Sequence, residues 1–323
     1  MILTVAVPTY NRESYLLKNM PLLFSQLRGK AKLLIIDNHS NAPAESVLGD
    51  LLTQYDGIDY KIIRNNANVG GNQNILRCIE CADTQWVWTL GDDDEVFPNA
   101  IDIILEDIKN NPDTVFINYR GDKDKQPYRT QGLEQFCSEM PSFGDVLFMS
   151  SNIFNRCELA PSLYTGNHYT YSLAPHLALI SPALSEGKEC YFSNKRLVVP
   201  GSRGSWSRAN FTLGVYSLLE IPMSQRSREI LSKKIFHMAA PILLGAIREL
   251  IFKAANSEKS SESLFLYRSI KTRFKVAGAP LFFQIKLFFY EFFFYFPKLS
   301  LTFLSQIYKI QKGHDPEMYD TEL

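Results

Sequence analysis

A chain of 323 residues with 46% hydrophobic content is long enough for one large domain or two small ones, and too apolar to be disordered. Its 34 basic and 34 acidic residues cancel overall, yet residues 1–220 carry 19 Lys and Arg against 25 Asp and Glu, while residues 221–312 carry 15 against 5. A basic segment interleaved with Phe and Leu argues against nucleic acid and for an anionic membrane surface, because its apolar residues also need a place to go. Five cysteines at no framework spacing (Cys78, Cys81, Cys137, Cys157 and Cys190) point to a reducing compartment. The Cys78–Cys81 pair has no second pair and no neighbouring His, and reads as two small buried residues on one helix face. Ile2–Val7 is too short for a signal-peptide core and runs into a turn, so a cytoplasmic protein is expected.

Leu3–Val7 is a β-rich apolar run closed by Pro8, and a helix is predicted over Ser14–Leu27. Lys32–Ile36 is a second apolar strand with Asp37 at its carboxyl end. Strand, helix, strand at this spacing is a βαβ unit whose sheet is covered on both faces. Ligands of such sheets bind beyond the carboxyl ends of the strands, which puts Thr9 and Asp37 where they can hydrogen-bond a base or ribose. A helix over 43–54 leads to a third strand, Asp59–Arg64. The loop Asn65–Asn74 that follows is rich in amides and glycine and opens a helix to about Cys81. It reads either as an anion-binding loop or as an ordinary strand-to-helix turn with a capping Asn.

Gln85–Leu90 reads as a buried fourth strand, and Asp92, Asp93, Asp94 and Glu95 follow almost at once. Adjacent carboxylates repel and resist desolvation, so such a cluster persists where a cation or ligand offsets the repulsion. Hard oxygen ligands favour Mg2+ or Mn2+ held together with substrate phosphates; the alternative is a solvated acidic turn. Beyond it, a helix over 99–109 and a strand over 114–119 extend the α/β pattern. Residues 120–129 read as a charged exposed loop, and residues 145–156 as an apolar run interrupted at Ser150-Ser151-Asn152.

Val7-Pro8-Thr9-Tyr10-Asn11-Arg12, Ile35-Ile36-Asp37-Asn38-His39-Ser40, Asn68-Val69-Gly70-Gly71 and Gly91-Asp92-Asp93-Asp94 with Pro98-Asn99-Ala100 stand in an order that resembles the motifs of family-two glycosyltransferases of the GT-A fold. The likeness is specific over about the first 120 residues and loose over the next hundred. It implies an α/β fold, a Rossmann-like mixed sheet flanked by helices, followed here by a helical C-terminal region. It implies donor-binding roles for Pro8, Thr9, Tyr10, Arg12, Asp37, Asn68, Gly70, Asn74 and Asp92, and a metal, Mn2+ or Mg2+, on Asp92 and Asp94. Asp93 enters as a catalytic carboxylate. Many members carry Asp where this chain has Gly91. The Gly-Asp-Asp-Asp form resembles the abequosyltransferase-like enzymes of bacterial O-antigen and capsule synthesis. The resemblance also implies that Ser151 and Asn152 line the sugar pocket.

The family usually supplies its general base from a Glu-Asp pair, and residues 150–200 contain none. His176 is the first candidate in its place and His168 the second, because an imidazole titrates near neutrality; a merely packed histidine is the alternative for each. The resemblance also implies that the basic, glycine-containing loop 195–208 folds over the nucleotide, where Arg203 or Arg208 would neutralise the departing diphosphate and Trp206 would stack on a sugar; a plain surface loop is the alternative. From Ser224 onward the pattern is helical. Leu281–Phe296 is strongly aromatic but shorter than a membrane span, so it is expected to lie in the bilayer interface, with a core or homodimer contact as its other use.

Three segments are therefore expected: 1–220 catalytic and nucleotide-sugar-binding, 221–312 basic, helical and at the membrane surface, and 313–323 an acidic tail. The function expected is transfer of a sugar from a nucleotide-diphosphate donor to a polyprenyl-diphosphate-linked glycan at the inner face of the cell membrane, without nucleic acid as a partner. The alternatives are a nucleotidyltransferase, whose Gly-rich basic loop is missing after the first strand, and a non-catalytic glycan binder.

Overall fold

The computed structural model describes residues 1–119, 124–201, 207–256, 260–276 and 278–300. The chain forms two compact units, Met1–Gly204 with Ser217–Lys234, and Ser205–Tyr216 with Ile235–Leu323.

The first unit is built as the hydrophobic runs require. Strands β1 (Leu3–Thr9), β2 (Lys32–Asp37), β3 (Tyr60–Arg64) and β4 (Trp86–Thr89) are joined through helices α1 (Glu13–Leu27), α2 (Ala44–Thr53) and α3 (Gly71–Cys81) and pair in parallel. In β1, β2 and β4 nearly every position is buried, as expected of strands covered on both faces. Leu16, Met20, Leu23, Phe24 and Leu27 recur at helical spacing on α1 and bury one face against the sheet. Beyond β4 come β5 (Glu95–Val96), α4 (Ala100–Asn110), β6 (Thr114–Asn118), β7 (Tyr128–Gln131), α5 (Gly132–Glu139), α6 (Phe143–Leu147), β8 (Asn152–Asn155), α7 (Arg156–Leu159), α8 (Leu163–His168), α9 (Pro175–Ser185), β9 (Glu189–Phe192) and β10 (Val198–Val199).

The main sheet has eight strands in the order β3-β2-β1-β4-β8-β6-β9-β7. Strand β8 runs antiparallel to both neighbours, so the sheet is mixed at its centre, as the expected fold class has it. A separate antiparallel ribbon pairs Val198 with Val96 and Val199 with Glu95. Two elements depart from the sequence reading. The charged stretch 120–129 was expected to be all loop, yet Tyr128–Gln131 is an edge strand on β9; an edge strand pairs on one side only and needs no apolar run. The apolar part of 145–156 closes α6 and a short 3-10 turn, and the strand is the more polar Asn152–Asn155. Its Asn152 is satisfied internally, donating to the Val146 carbonyl at 2.8 Å and accepting from Asn118 at 2.8 Å. Trp88, fully buried, donates its indole N–H to the Ser150 carbonyl at 2.9 Å and fixes this turn against β4.

The second unit contains α10 (Arg208–Tyr216), most of α11 (Gln225–Asn256), α12 (Ser260–Val276) and α13 (Leu281–Tyr290). Its core is aromatic: Phe274 packs on Tyr216, Phe236 and Phe283, and Tyr267 stacks on Phe294. Glu291 is turned inward to Arg268 and Lys271. The opposite side of α13 and the turn after it leaves Phe282, Phe288, Phe289, Phe292 and Phe296 more than half exposed. Among the described residues no single helix is long and apolar enough to cross a membrane; the bent pair Gln225–Leu243 and Gly245–Asn256, meeting at 47°, meets that measure together. The expected tail, 313–323, lies outside the described residues.

Candidate active site

The carboxyl ends of β1, β2 and β4 meet as the sequence implies, and short polar contacts stitch their loops together. After β1, half-buried Pro8 and buried Thr9 lead to Tyr10, 43% exposed. Asn11 then takes a left-handed turn at φ 52°, which Asn tolerates better than most residues. Its N–H donates to the Ser40 hydroxyl at 2.9 Å, and its side-chain oxygen accepts from the Asn41 N–H at 2.7 Å. The loops after β1 and β2 are thereby held as one surface.

Asp37 is fully buried and its oxygens accept from the Ser40 N–H, the Ala44 N–H and Arg64. Burial alone would raise its carboxyl, but the donors from Ser40, Ala44 and Arg64 outweigh it and hold the group below the ordinary aspartate range. Asp37, expected to meet the nucleoside, has a carboxylate that joins the start of α2 to β3 at the rim.

The loop after β3 is organised by amides. Asn65 donates to Asn38 at 3.0 Å and to Asn74 at 2.9 Å, and accepts from Arg77 at 2.8 Å. Asn38 donates to Asn68 at 2.7 Å and accepts the Val69 N–H at 2.9 Å. Asn74, expected to bind donor, is 2% exposed and donates to the Ile36 carbonyl at 3.0 Å. Asn68 accepts from Asn38 and from the Gly70 N–H, so both residues hold the loop. Gly70, at φ 87°, supplies the turn that exposes the start of α3.

The three aspartates have three different fates. Asp92 is 8% exposed and accepts the Thr9 hydroxyl at 2.7 Å, while its backbone carbonyl accepts the Asn19 amide of α1 at 3.0 Å. Burial, with the charges of Asp93 and Asp94 adding to it, pushes the Asp92 carboxyl up to about 6 against the opposing pull of Thr9 and Arg12. Asp93 is the most accessible of the three and faces Arg12 at 3.5 Å, whose guanidinium lies 4.9 Å over the Tyr15 ring. Asp94, 4% exposed, accepts the Gly201 N–H at 2.8 Å and the Ser150 hydroxyl in a short bond. Ser150 also accepts the Gly91 N–H at 2.8 Å. Two glycines make this packing feasible. A Cβ at Gly91 would lie 2.7 Å from the Asp94 carboxylate, and one at Gly201 would fall on the Asp93 carbonyl.

Pro8, Thr9, Tyr10, Arg12, Asp92, Asp93 and Asp94 therefore share one edge of the sheet, with Asp37, Asn68 and Asn74 beneath its rim. His176 does not join them. It is 2% exposed on α9, its Nε2 bonds to the Val146 carbonyl at 3.2 Å, and its ring packs against Phe154. Burial lowers its imidazole to about 4, only partly countered by the Val146 carbonyl. A sealed, weakly basic imidazole cannot reach an acceptor hydroxyl, so His176 is a packing residue. Arg203 and Trp206 lie outside the described residues. Arg208 opens α10 in the second unit, where its side chain lies against Gly245. Ser151 and Asn152, expected in the sugar pocket, are buried and bonded to α6 carbonyls. The residues the sequence reading missed are Ser150, Asn19 and Gly201. Ser150 is one step from the Ser-Asn pair that was singled out, while no local pattern marks Asn19, which is buried with Gln26 on a mostly apolar helix face.

Among the described residues no three His, Cys, Asp or Glu side chains converge as a self-sufficient metal site. The donor set nevertheless fits a hard divalent ion. Buried Asp92 receives one side-chain donor, Thr9, although a carboxylate offers about four lone-pair sites. Burial raises its carboxyl, and a bound cation would favour the charged form. Mg2+ ordinarily takes one or two carboxylates and completes its shell with water and substrate phosphate.

Two substitutions test this description. Gly201→Ala forces the β10 segment off the Asp93 carbonyl; overpacking of this kind costs about 1–3 kcal/mol, read as a lower urea midpoint. His176→Gln should keep any activity of the cleft within a few-fold. Between pH 6.5 and about 4 the unfolded chain takes up a proton that the buried imidazole refuses, so stability falls as pH falls. The drop in melting temperature from pH 7 to pH 5 should therefore shrink in this variant; an unchanged pH slope with lost activity would contradict the assignment.

Residues 4–162 match the sequence profile described as "Glycosyl transferase family 2". The chain is 27% identical over 136 residues to a GalNAc(5)-diNAcBac-PP-undecaprenol beta-1,3-glucosyltransferase of Campylobacter jejuni, the match covering 41% of this chain and 44% of that protein. It is also 27% identical over 107 residues to abequosyltransferase RfbV of Salmonella typhimurium, covering 32% of each. The matches thus span less than half the length of these curated relatives. Among solved structures, TarS of S. aureus in complex with UDP-GlcNAc superimposes with a TM-score of 0.56 at 13% identity, covering 100% of this chain and 94% of that one. Mannosyltransferase PcManGT from Pyrobaculum calidifontis, in complex with GDP-Man and Mn2+, gives 0.54 at 12% identity, covering 93% and 87%. At such identities the structures speak for the fold alone. By this profile match and the order of the motifs, residues 4–162 form a domain of glycosyl transferase family 2.

Proposed function

We propose that this protein transfers a sugar from a nucleotide-diphosphate donor to a lipid-linked glycan at a membrane surface, in O-antigen or capsule synthesis. The observation that carries the reading is the aspartate turn, where Thr9, Arg12, Asn19, Ser150 and Gly201 all converge on Asp92–Asp94. That expenditure of donors around buried carboxylates has no use in folding, since adjacent carboxylates weaken a strand end.

In this reading the nucleoside lies over Pro8–Tyr10 and the rim held by Asp37, with the diphosphate directed toward Asp92. Asp92 and Asp94 would hold Mn2+ or Mg2+, which supplies charge neutralisation to the leaving diphosphate. Arg12, held by Asp93 and Tyr15 at the cleft edge, adds a cation on the same side. An acceptor hydroxyl attacks the anomeric carbon; the bond from that carbon to the phosphate oxygen breaks, and its electron pair leaves with the diphosphate. The names of the Campylobacter and Salmonella relatives, one a glucosyltransferase acting at an undecaprenol diphosphate and one an abequosyltransferase, support a lipid-linked acceptor and a hexose or deoxyhexose donor. The exposed aromatic side of α13, with Lys286 lying 5.6 Å over Phe282, supports peripheral binding at the cytoplasmic face of the cell membrane. A nucleotidyltransferase is disfavoured, because Pro8-Thr9-Tyr10-Asn11 is not a Gly-rich basic phosphate loop.

A thermal-shift panel of UDP, GDP, CDP and dTDP with Mn2+ should raise the melting temperature with one nucleotide above the others, and chelation should reverse the rise. Asp92→Asn should reduce metal-dependent hydrolysis of the matching nucleotide sugar by about 100-fold or more. Full hydrolysis in that variant would remove the basis for a metal on this turn. Membrane binding has its own test: the full chain should float with vesicles containing phosphatidylglycerol, and Phe288→Asp with Phe292→Asp should leave it in the soluble fraction.

A further inference from the structure

Helix α8 and the turn that leads from it to α9 carry an aromatic surface that neither core packing nor the aspartate turn uses. Tyr164 is 78% exposed and Tyr171 is 49% exposed, whereas Tyr169 between them is buried to 8%. Four rings follow one another without a gap. Tyr164 stacks on His168 with planes 24° apart, His168 meets Tyr169 edge-on at 4.9 Å, and Tyr169 lies 5.9 Å from Tyr171. The row is anchored from below: the Tyr169 hydroxyl donates to the Glu220 carbonyl at 3.1 Å and the Tyr171 hydroxyl to the Glu220 carboxylate at 2.9 Å. Leu173, two residues after Tyr171, ends the turn at φ 61°, in the left-handed region that residues with a Cβ enter at a cost.

The neighbours of these rings decide what they suit. Segment 163–174 contains no Lys or Arg; beside its rings lie the exposed amide of Asn167, the half-buried amide of Gln73 and the Glu220 carboxylate, with the charge of Arg228 acting on Tyr169. An anionic phosphate would find a carboxylate here and no cation from this turn. A lipid surface would have to desolvate those amides. A neutral saccharide matches both halves: its C–H face packs on an exposed ring, and its hydroxyls exchange hydrogen bonds with amides and a carboxylate. The position is also apt. Asn72 donates to the Thr170 carbonyl at 2.7 Å and Gln73 to Asn167 at 2.5 Å, which binds the turn to the first turn of α3, directly after the amide-held loop at the rim of the cleft.

We propose that Tyr164, His168 and Tyr171, backed by Asn167, Gln73 and Glu220, form the subsite for the neutral glycan portion of the acceptor. The proposal rests on the transferase reading for the word acceptor, but saccharide binding at these rings can be measured without turnover. Saturation-transfer NMR on the full chain with chitotriose, mannotriose and an N-acetylgalactosamine oligomer should show transfer to ring C–H protons of at least one of them. Tyr164→Ala with Tyr171→Ala should abolish it, and Tyr164→Phe should retain it, since the ring face makes the contact. The double alanine variant should still bind the nucleotide selected by the thermal-shift panel and hydrolyse its sugar donor, while the KM for a saccharide acceptor rises about tenfold or more. No saccharide signal in the wild type, or the same signal in the double alanine variant, overturns the subsite. Absence of donor hydrolysis in the wild type would instead overturn the transferase reading and leave the saccharide result to stand for a glycan binder.

Discussion

Three consecutive carboxylates at the end of a buried strand would ordinarily push one another apart, and the cleft exists because each is given a different partner. Asp92 receives a hydroxyl from β1, Asp93 a guanidinium from the start of α1, and Asp94 a backbone N–H from beyond β10 with a serine from the turn before β8. These donors come from four separate parts of the chain. The arrangement of β1, β4, β8 and the small β5–β10 ribbon can therefore be understood as what is needed to deliver them to one turn. The repulsion is answered least at Asp92, whose carboxylate has Thr9 as its one side-chain donor and is buried beside two further aspartates.

Glycine is as important here as the charged groups. Gly91 gives the Asp94 carboxylate room to fold back, and Gly201 lets the chain pass against the Asp93 carbonyl. The departure from the family pattern at position 91 thus has a packing reason in this chain. In the loop after β3, Asn38, Asn65, Asn68 and Asn74 satisfy one another and the loop backbone, so the surface there is shaped by neutral amides.

Much of this was legible in the sequence because the motifs lie at strand ends, and strand ends were marked by apolar runs. The runs Leu3–Val7, Lys32–Ile36 and Trp86–Leu90 gave the parallel half of the sheet, and with it the common edge of Thr9 and Asp92. What escaped were contacts whose partners are distant and individually ordinary. Ser150 is one of several serines before β8, and Asn19 resembles any polar residue on a helix until α1 is seen to cross under the turn. His176 misled because an imidazole's ordinary titration range says nothing of its burial, and burial against Phe154 and Val146 removes it from acid–base work. At Asp37 and Asn74 sequence places a polar group at an edge but cannot show which neighbouring groups it meets there. β7 was hidden because an edge strand need not be apolar.

The antiparallel strand β8 lies between β4 and β6, so the middle of the sheet is closed by a segment some sixty residues after the strand it covers. During synthesis from the N-terminus, β1 to β4 can assemble early, but the outer edge of β4, with Trp86 and Trp88, waits for residues 152–155 to emerge. Until then that strand is an unpaired apolar border of the kind that pairs with other chains. Asp92–Asp94, set just past this border, keep a block of acidic residues beside it throughout the interval, the kind of flank that discourages edge-to-edge pairing.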